Sequence, residues 1–277
     1  MGLPDRARRL IVNADDFGRS PSINEAVIRA HREGILTTAS LMVNEPASDE
    51  AVKRAREIPS LGVGLHLALV CGRSALPHEK IPGLADFKND FSNNAVVSGL
   101  RFFFLPQLKA QLRDELAAQF EKFRATGLRL DHVNGHLNIH LHPVVFGILM
   151  ENAERWGIRH LRLTSDPLAL NLKLAKGNFF YRLSHACIYK SLSNWARPKL
   201  ERADIRHTRN VFGLLQNARV DERFLAALLP HLPPGDSELY SHPSLDDFKH
   251  ELDALISPRV KTAARELGIQ LIRYQDL

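Results

Sequence analysis

Short apolar runs alternate with amphipathic segments along most of the chain. Runs with the length and β-branched content of buried strands occur at 10–14, 38–43, 61–69 and 128–133. Segments with apolar residues at helical spacing occur at 21–32, 48–57 and 106–127. Continuous apolar strands that alternate with helices are typical of parallel sheets covered on both faces. The pattern therefore predicts an α/β fold.

The second half of the chain continues this alternation less regularly. We predict strands at 158–163, 237–243 and 269–274, and helices at 143–156, 222–229 and 245–267. About seven βα units in 277 residues favour a (β/α) barrel of seven or eight strands, complete or incomplete, over an open doubly wound sheet. The length also fits a single domain over residues 1–277.

Two segments interrupt the alternation, at about 70–106 and 166–209. The first contains several Pro and Gly residues and ends in Phe102-Phe103-Phe104-Leu105. A long insertion in a compact α/β domain is usually a functional loop. The three Phe residues belong either to the core or to an apolar patch that faces a substrate.

The second insertion carries the basic character of the chain. Of a net charge of +6, residues 173–209 contribute nine Lys and Arg against two acidic residues, so the rest of the chain is close to neutral. This segment is either a solvated helical face or a contact with an anionic membrane, where each cation is worth about 1 kcal/mol. A non-enzymatic nucleic-acid binder is the less favoured alternative, because the charge is confined to one segment and no nucleic-acid motif occurs.

The remaining composition excludes several other classes. Two cysteines, Cys71 and Cys187, are too few for a disulfide scaffold or a thiolate zinc site. No apolar run approaches the roughly 20 residues that a membrane helix needs, and residues 1–9 lack the apolar core of a signal peptide. We therefore expect a cytoplasmic protein. Peripheral contact with the inner face of the membrane is compatible with this location.

Polar groups stand at the ends of four predicted strands: Asp15 with Asp16, His66, His136 and His242. In (β/α) barrels the active site gathers at the carboxyl ends of the strands, so these side chains are expected to converge. One of the two adjacent acids would suffice to cap the next helix. The second repels the first unless a cation or a shared proton relieves the repulsion.

The residue types match a metal centre. A carboxylate with two imidazoles and an open position is a catalytic arrangement for zinc or a similar divalent ion. The choice of the second imidazole stays open, because His136 and His140 would share one ion if their segment were helical. His142, next to Pro143, looks more like a residue at the start of a helix.

Five motifs carry a resemblance to a known family. They are Asn13-Ala14-Asp15-Asp16-Phe17-Gly18, Ser40-Leu41-Met42-Val43, Gly64-Leu65-His66-Leu67, Asp131-His132-Val133-Asn134-Gly135-His136 and His242-Pro243. With them the sequence resembles the YdjC-like carbohydrate deacetylases over nearly its whole length. The residue after His242-Pro243 is Ser244, where that family often has glycine, which puts the shape of this loop in question.

The resemblance implies a barrel of the glycoside hydrolase/deacetylase type and removal of an acetyl group from an N-acetylated sugar. It implies a divalent ion held by Asp16, His66 and His136, with Asp15 as general base and His242 as acid. Zinc and magnesium are the first candidates for the ion, and manganese and cobalt are alternatives.

The segments 64–72 and 136–146 are similar to the branch of that family associated with hopanoid biosynthesis. That likeness implies an N-acetylglucosaminyl group on a polycyclic lipid as substrate. Soluble chitooligosaccharides are the alternative acceptor. A metal-dependent hydrolase of O-acyl or phosphate esters is the alternative reaction.

Overall fold

A computed structural model describes residues 7–277, so most of the polar segment 1–9 lies outside the described residues. The strands of this part of the chain are β1 (Arg8–Phe17), β2 (Thr38–Leu41), β3 (Gly62–Leu67), β4 (Leu130–Gly135), β5 (Asn210–Phe212), β6 (Gly235–Ser241) and β7 (Gln270–Ile272). Its α-helices are α1 (Pro21–Glu33), α2 (Ser48–Arg56), α3 (Ala95–Phe104), α4 (Leu108–Ala125), α5 (Pro143–Glu151), α6 (Ala153–Trp156), α7 (Leu168–Leu174), α8 (Phe179–Arg202), α9 (Glu222–Leu228), α10 (Lys249–Ile256) and α11 (Pro258–Glu266).

The strands form one parallel sheet in the order β4-β3-β2-β1-β6-β5, and β7 pairs with the start of β1. Parallel pairing with helical connections confirms the predicted α/β class. The central strand β1 is buried along most of its length, and Leu10, Ile11 and Val12 are fully enclosed. The continuous apolar run in the sequence is therefore the signature of a strand covered on both faces.

The predicted strand at 158–163 forms only isolated bridges. His160 O accepts a hydrogen bond from Val133 N at 3.0 Å, and Leu161 N donates to Arg206 O at 3.1 Å. Val211 N in β5 donates to Ser165 O at 3.1 Å. This irregular segment therefore lies between the two edge strands, β4 and β5. The sheet curls into a barrel in which this segment, with only a few hydrogen bonds, takes the place of a regular strand.

The long helix predicted at 245–267 is two helices, α10 and α11, with a break at Ser257. Ser257 has an extended ψ of 126° because it precedes Pro258, and its side chain caps α11 by accepting from Val260 N. Likewise, α1 begins at Pro21 after the N-cap Ser20, whose hydroxyl accepts a hydrogen bond from Ile23 N. The cap role is thus filled by Ser20, which leaves both aspartates for other contacts.

Both interruptions of the alternation contain helix. The segment 70–106 contains α3, and the segment 166–209 contains α7 and the 24-residue helix α8. Among residues 7–277, no helix is both long and apolar enough to span a bilayer. The helices α3 and α8 lie beside the carboxyl end of the barrel, where they flank the site described below.

Candidate metal centre

A β-bulge brings both aspartates of β1 to the same cavity. Between the pairs Ala14–Ala39 and Phe17–Leu41, β1 has two residues, Asp15 and Asp16, where β2 has one. Asp16 also adopts a left-handed backbone with φ of 63°, which aspartate tolerates better than most residues. Successive strand residues normally point to opposite faces, so the bulge is what allows the two carboxylates to share one cavity.

Asp16, His66 and His136 meet at the carboxyl ends of β1, β3 and β4. Each is buried, and one potential ligand atom from each lies within 4.8 Å of the other two. The Asp16 Oδ1 atom is 2.9 Å from His136 Nδ1 and 3.4 Å from His66 Nε2. The arrangement brings together the three residues that the family resemblance implies as ligands.

The surroundings orient these side chains. His66 Nδ1 lies 2.7 Å from Asn134 Oδ1 and donates to it, so His66 Nε2 is the ring nitrogen that faces Asp16. Burial lowers the pKa of His66, but Asp15 and Asp16 outweigh it, and the pKa lies above its ordinary value. Burial raises the pKa of Asp16, but His136 and His66 bring it well below its ordinary value. The centre is therefore strongly polarised, with an ionised carboxylate that favours a cationic neighbour.

Arg162 holds Asp15 in a buried ion pair. The guanidinium is fully enclosed and donates to both Asp15 oxygens, at 2.7 and 2.9 Å. Asn13 and Asn134 also donate to Asp15 Oδ1, at 2.7 and 3.2 Å. Burial raises the pKa of Asp15, but Arg162 and His66 outweigh it, so the pKa lies well below its ordinary value. Asp15 is therefore an ionised, fixed acceptor beside the candidate metal ligands.

A second acid balances the guanidinium. Glu238 Oε1 accepts from Arg162 at 2.7 and 3.0 Å, and Glu238 also accepts from the Tyr274 hydroxyl. The Arg162 guanidinium lies 4.3 Å from the centre of the Tyr240 ring. Neither Arg162 nor Glu238 is among the site residues predicted from the sequence. The available signal was a charged residue inside each of two predicted apolar strands, since such residues are rarely buried without a partner.

His242 follows β6 and lines the same cavity as the two aspartates. Its side chain is 27% exposed, and its Nδ1 lies 3.9 Å from Glu251 Oε2. Glu251 also accepts the backbone N–H of His242 at 2.5 Å and that of Val220 at 2.9 Å. The loop after β6 is therefore anchored by a buried carboxylate, which also faces the His242 ring.

The backbone after His136 determines whether His140 or His142 can reach the candidate metal centre. Leu137 and Asn138 have left-handed φ values of 51° and 56°, so His140 does not lie one helical turn from His136. His140 Nε2 instead contacts Arg162 O at 3.0 Å, and burial lowers the pKa of His140 to about 3. His142 is the N-cap residue of α5, in agreement with its predicted place at the start of a helix, and its Nε2 contacts Gly99 O of α3 at 3.0 Å.

The site opens into one large cavity of about 1260 Å³. Its polar side contains the two aspartates, the metal-ligand candidates and His242, and its remaining wall contains apolar residues of α3 and α8. A polar centre beside an apolar wall suits a substrate with both kinds of surface.

Comparison with known proteins identifies the family. A family model described as YdjC-like protein matches residues 9–266. The chain belongs to the YdjC-like family. Its relatives in that family include a protein of Geobacillus stearothermophilus named carbohydrate deacetylase, which is 37% identical over 97% of this chain and 98% of its own length.

Two further relatives of this YdjC-like chain match over shorter stretches. A carbohydrate deacetylase of Brevibacillus brevis is 38% identical, but the match covers 54% of this chain and 57% of that protein. A chitooligosaccharide deacetylase of Salmonella newport is 32% identical over 67% of this chain and 75% of its own length.

Solved structures agree with the fold of this YdjC-like chain. A proposed cellobiose-phosphate cleavage protein of Enterococcus faecalis has a TM-score of 0.75 at 23% identity, with 98% of both chains covered. An uncharacterized protein of Agrobacterium tumefaciens has a TM-score of 0.54 at 12% identity, covering 98% of this chain and 89% of its own. These likenesses concern the fold alone.

Proposed function

We propose that this protein is a metal-dependent deacetylase that hydrolyses the N-acetyl group of an N-acetylglucosamine unit. The observation that carries the proposal is the convergence of Asp16, His66 and His136 beside Asp15 in one large cavity. The relatives named carbohydrate deacetylase and chitooligosaccharide deacetylase support the same reaction.

The donor set fits a divalent ion. One carboxylate and two imidazoles leave coordination positions open for water and substrate, and imidazole ligands suit zinc better than magnesium. A bound ion supplies Lewis acidity, which polarises the amide carbonyl and acidifies a water molecule.

The protein's own residues would move the protons. Asp15, ionised and fixed by Arg162, accepts a proton from the attacking water. An amide nitrogen leaves poorly as an anion, so His242 donates a proton to it as the C–N bond breaks. The products are acetate and a free amine. The ion pair with Arg162 keeps Asp15 ionised at neutral pH, at the expense of making it a weaker base.

For the acceptor we favour a glycosylated hopanoid lipid over a soluble chitooligosaccharide. The apolar wall supports this choice, because Phe103 and Phe104 line the cavity while remaining 55% and 68% exposed. Such side chains offer a sugar hydroxyl no hydrogen bond but can cover an apolar ring system. A substrate of this kind would place a cytoplasmic enzyme at the inner face of the membrane.

The decisive experiment measures acetate and free amine released by the metal-loaded protein. The substrates are an N-acetylglucosaminyl lipid, chitooligosaccharides and an O-acetylated sugar. We expect acetate and amine in equal amounts, with faster release from the lipid. Acetate without amine would indicate an esterase, and wild-type activity in Asp16→Ala would refute the metal centre.

A further inference from the structure

Helix α3 exposes most of its apolar side chains. Of its ten residues, AVVSGLRFFF, only Ser98 and Phe102 are buried. Val96, Leu100 and Phe104 are each more than half exposed. An ordinary surface helix turns its apolar stripe to the core and its polar side chains outward. Here a strongly apolar helix faces outward.

The first half of α8 also exposes apolar side chains to solvent. Phe179 and Phe180 at its start are 51% and 83% exposed, and Leu183 and Ile188 are also exposed. A contiguous exposed apolar patch of this kind marks an interaction surface more often than a chance feature.

The two helices come from separate insertions but border one cavity. Val96, Leu100, Phe103 and Phe104 of α3 line it, as does Ile188 of α8. Both helices also pack against α5. The exposed apolar side chains of α3 and Ile188 of α8 therefore lie around the cavity of the candidate active site. Tyr181 lines the same cavity and follows Phe179 and Phe180 directly in the first turn of α8.

Helix α3 and the first half of α8 contain no acidic residue. The sequence contains no Asp or Glu between Asp90 and Asp114, or between Asp166 and Glu201. The exposed cations of these stretches are Arg101, Lys109, Arg113, Lys173, Lys176 and Lys190, of which Lys109 and Arg113 pair with Glu151. The carboxylates Asp246 and Asp247, which also line the cavity, come from the loop after β6.

We propose that α3 and residues 173–190, which include the end of α7 and the first half of α8, form a docking surface for an anionic lipid bilayer. Exposed aromatic and aliphatic side chains enter the headgroup region, while the neighbouring cations attract anionic lipids. The combination distinguishes a membrane from two other partners. A nucleic acid needs the cations but not the exposed aliphatic side chains, and a second copy would place cations against cations in a two-fold contact.

Docking in this orientation brings the mouth of the cavity to the bilayer. If the proposed function holds, an acetamido sugar carried by a lipid would reach the metal centre without leaving the membrane surface. That consequence rests on the proposed function, whereas the docking surface itself does not.

The test is cosedimentation of the full chain with vesicles of phosphatidylcholine alone and of phosphatidylcholine mixed with phosphatidylglycerol. We expect binding to the anionic vesicles that weakens at high salt. Lys173→Glu/Lys176→Glu should weaken it by about tenfold or more, because each removed cation is worth about 1 kcal/mol before the repulsion by the new acid is counted. Phe179→Ser/Phe180→Ser should weaken binding at low salt and at high salt, because salt does not screen the apolar contribution.

Two control variants match these changes. Lys53→Glu/Lys122→Glu reverses the same number of exposed charges on α2 and α4 and should bind like the wild type. Phe179→Leu/Phe180→Leu keeps the apolar character and should also bind. Circular dichroism checks that all four variants fold.

Three results would overturn the docking surface: equal vesicle binding by every variant, dimerisation that disappears in Phe179→Ser/Phe180→Ser, or preferential binding to nucleic acid. Acetate release from soluble chitooligosaccharides is measured in parallel. Vesicle binding without any acetate release would reject the proposed function alone, and release without vesicle binding would reject the docking surface alone.

Discussion

The guanidinium of Arg162 makes two hydrogen bonds to the carboxylate of Asp15, at 2.7 and 2.9 Å, in a fully buried position. The two residues are 147 positions apart in sequence. The pair fixes the orientation of a carboxylate next to the candidate metal ligands and keeps it ionised. The residue after Asp15 faces the imidazoles instead, so two adjacent acids have separate partners.

Replacing Arg162 by Met should lower the free energy of unfolding by about 3–5 kcal/mol, because Asp15 and Glu238 would remain buried without their shared cation. Urea denaturation measures the change. Arg113→Met, at an exposed ion pair with Glu151, is the control and should cost at most about 1 kcal/mol. A loss for Arg162→Met no larger than the control would contradict the buried network.

Asp15→Asn and Asp16→Asn should have different effects although the residues are adjacent. Asp15→Asn removes the proton acceptor and should lower the rate of acetate release by about 10²–10⁴-fold while metal content stays near one ion per chain. Asp16→Asn removes a ligand and should lose the ion as well as the activity. Metal analysis of the purified variants separates the two, and equal metal loss in both would reject these assignments.

His242→Asn should lower the rate constant for acetate release from an amide by about 10²–10⁴-fold, since the leaving nitrogen loses its proton donor. An activated acetyl ester has a leaving group that needs no proton, so its hydrolysis should fall much less. The ratio of the two rates is the measurement. Equal losses on both substrates would show that His242 is not the acid.

Removal of the ion should destabilise the fold as well as abolish activity. A ligand that binds only the folded state adds about 2.7 kcal/mol when its concentration is 100 times its dissociation constant. We therefore expect chelation to lower the melting temperature and added zinc to restore it. His66→Ala should show no shift with either treatment, and a shift as large as that of the wild type would contradict the site.

His140 should make stability depend on pH on the acid side. Its pKa is about 3 in the folded protein, whereas the ordinary pKa of histidine is 6.5, so between these values the unfolded chain binds a proton that the native state does not. Stability from this group is complete above pH 6.5 and falls as the pH drops, by about 2 kcal/mol at pH 5.

His140→Gln should therefore give a shallower dependence of the unfolding free energy on pH between 4 and 7, measured by urea denaturation at several pH values. His250→Gln, at an exposed position, is the control and should leave the slope unchanged. The metal content of His140→Gln should equal that of the wild type, because His140 contacts Arg162 O rather than the metal-ligand candidates.

The sequence by itself determined the class of fold and the location of the candidate site. Apolar runs alternating with helical segments specify parallel strands, and parallel strands place their carboxyl ends at one edge. Polar residues at those ends, among them Asp16, His66 and His136, could therefore be grouped from the sequence. The family resemblance, which the family model confirms, rests on the same motifs.

The tertiary structure alone decided how these groups are paired and aimed. The bulge that turns both aspartates into one cavity, the left-handed residues that separate His136 from His140, and the irregular segment that carries Arg162 to Asp15 all depend on contacts between distant strands. Periodicity reports which face of an element is buried, but it contains no information on register or on left-handed backbone at a non-glycine residue. The convergence of α3 and α8 at one cavity also depends on tertiary contacts, because the two helices belong to insertions that are far apart in the chain.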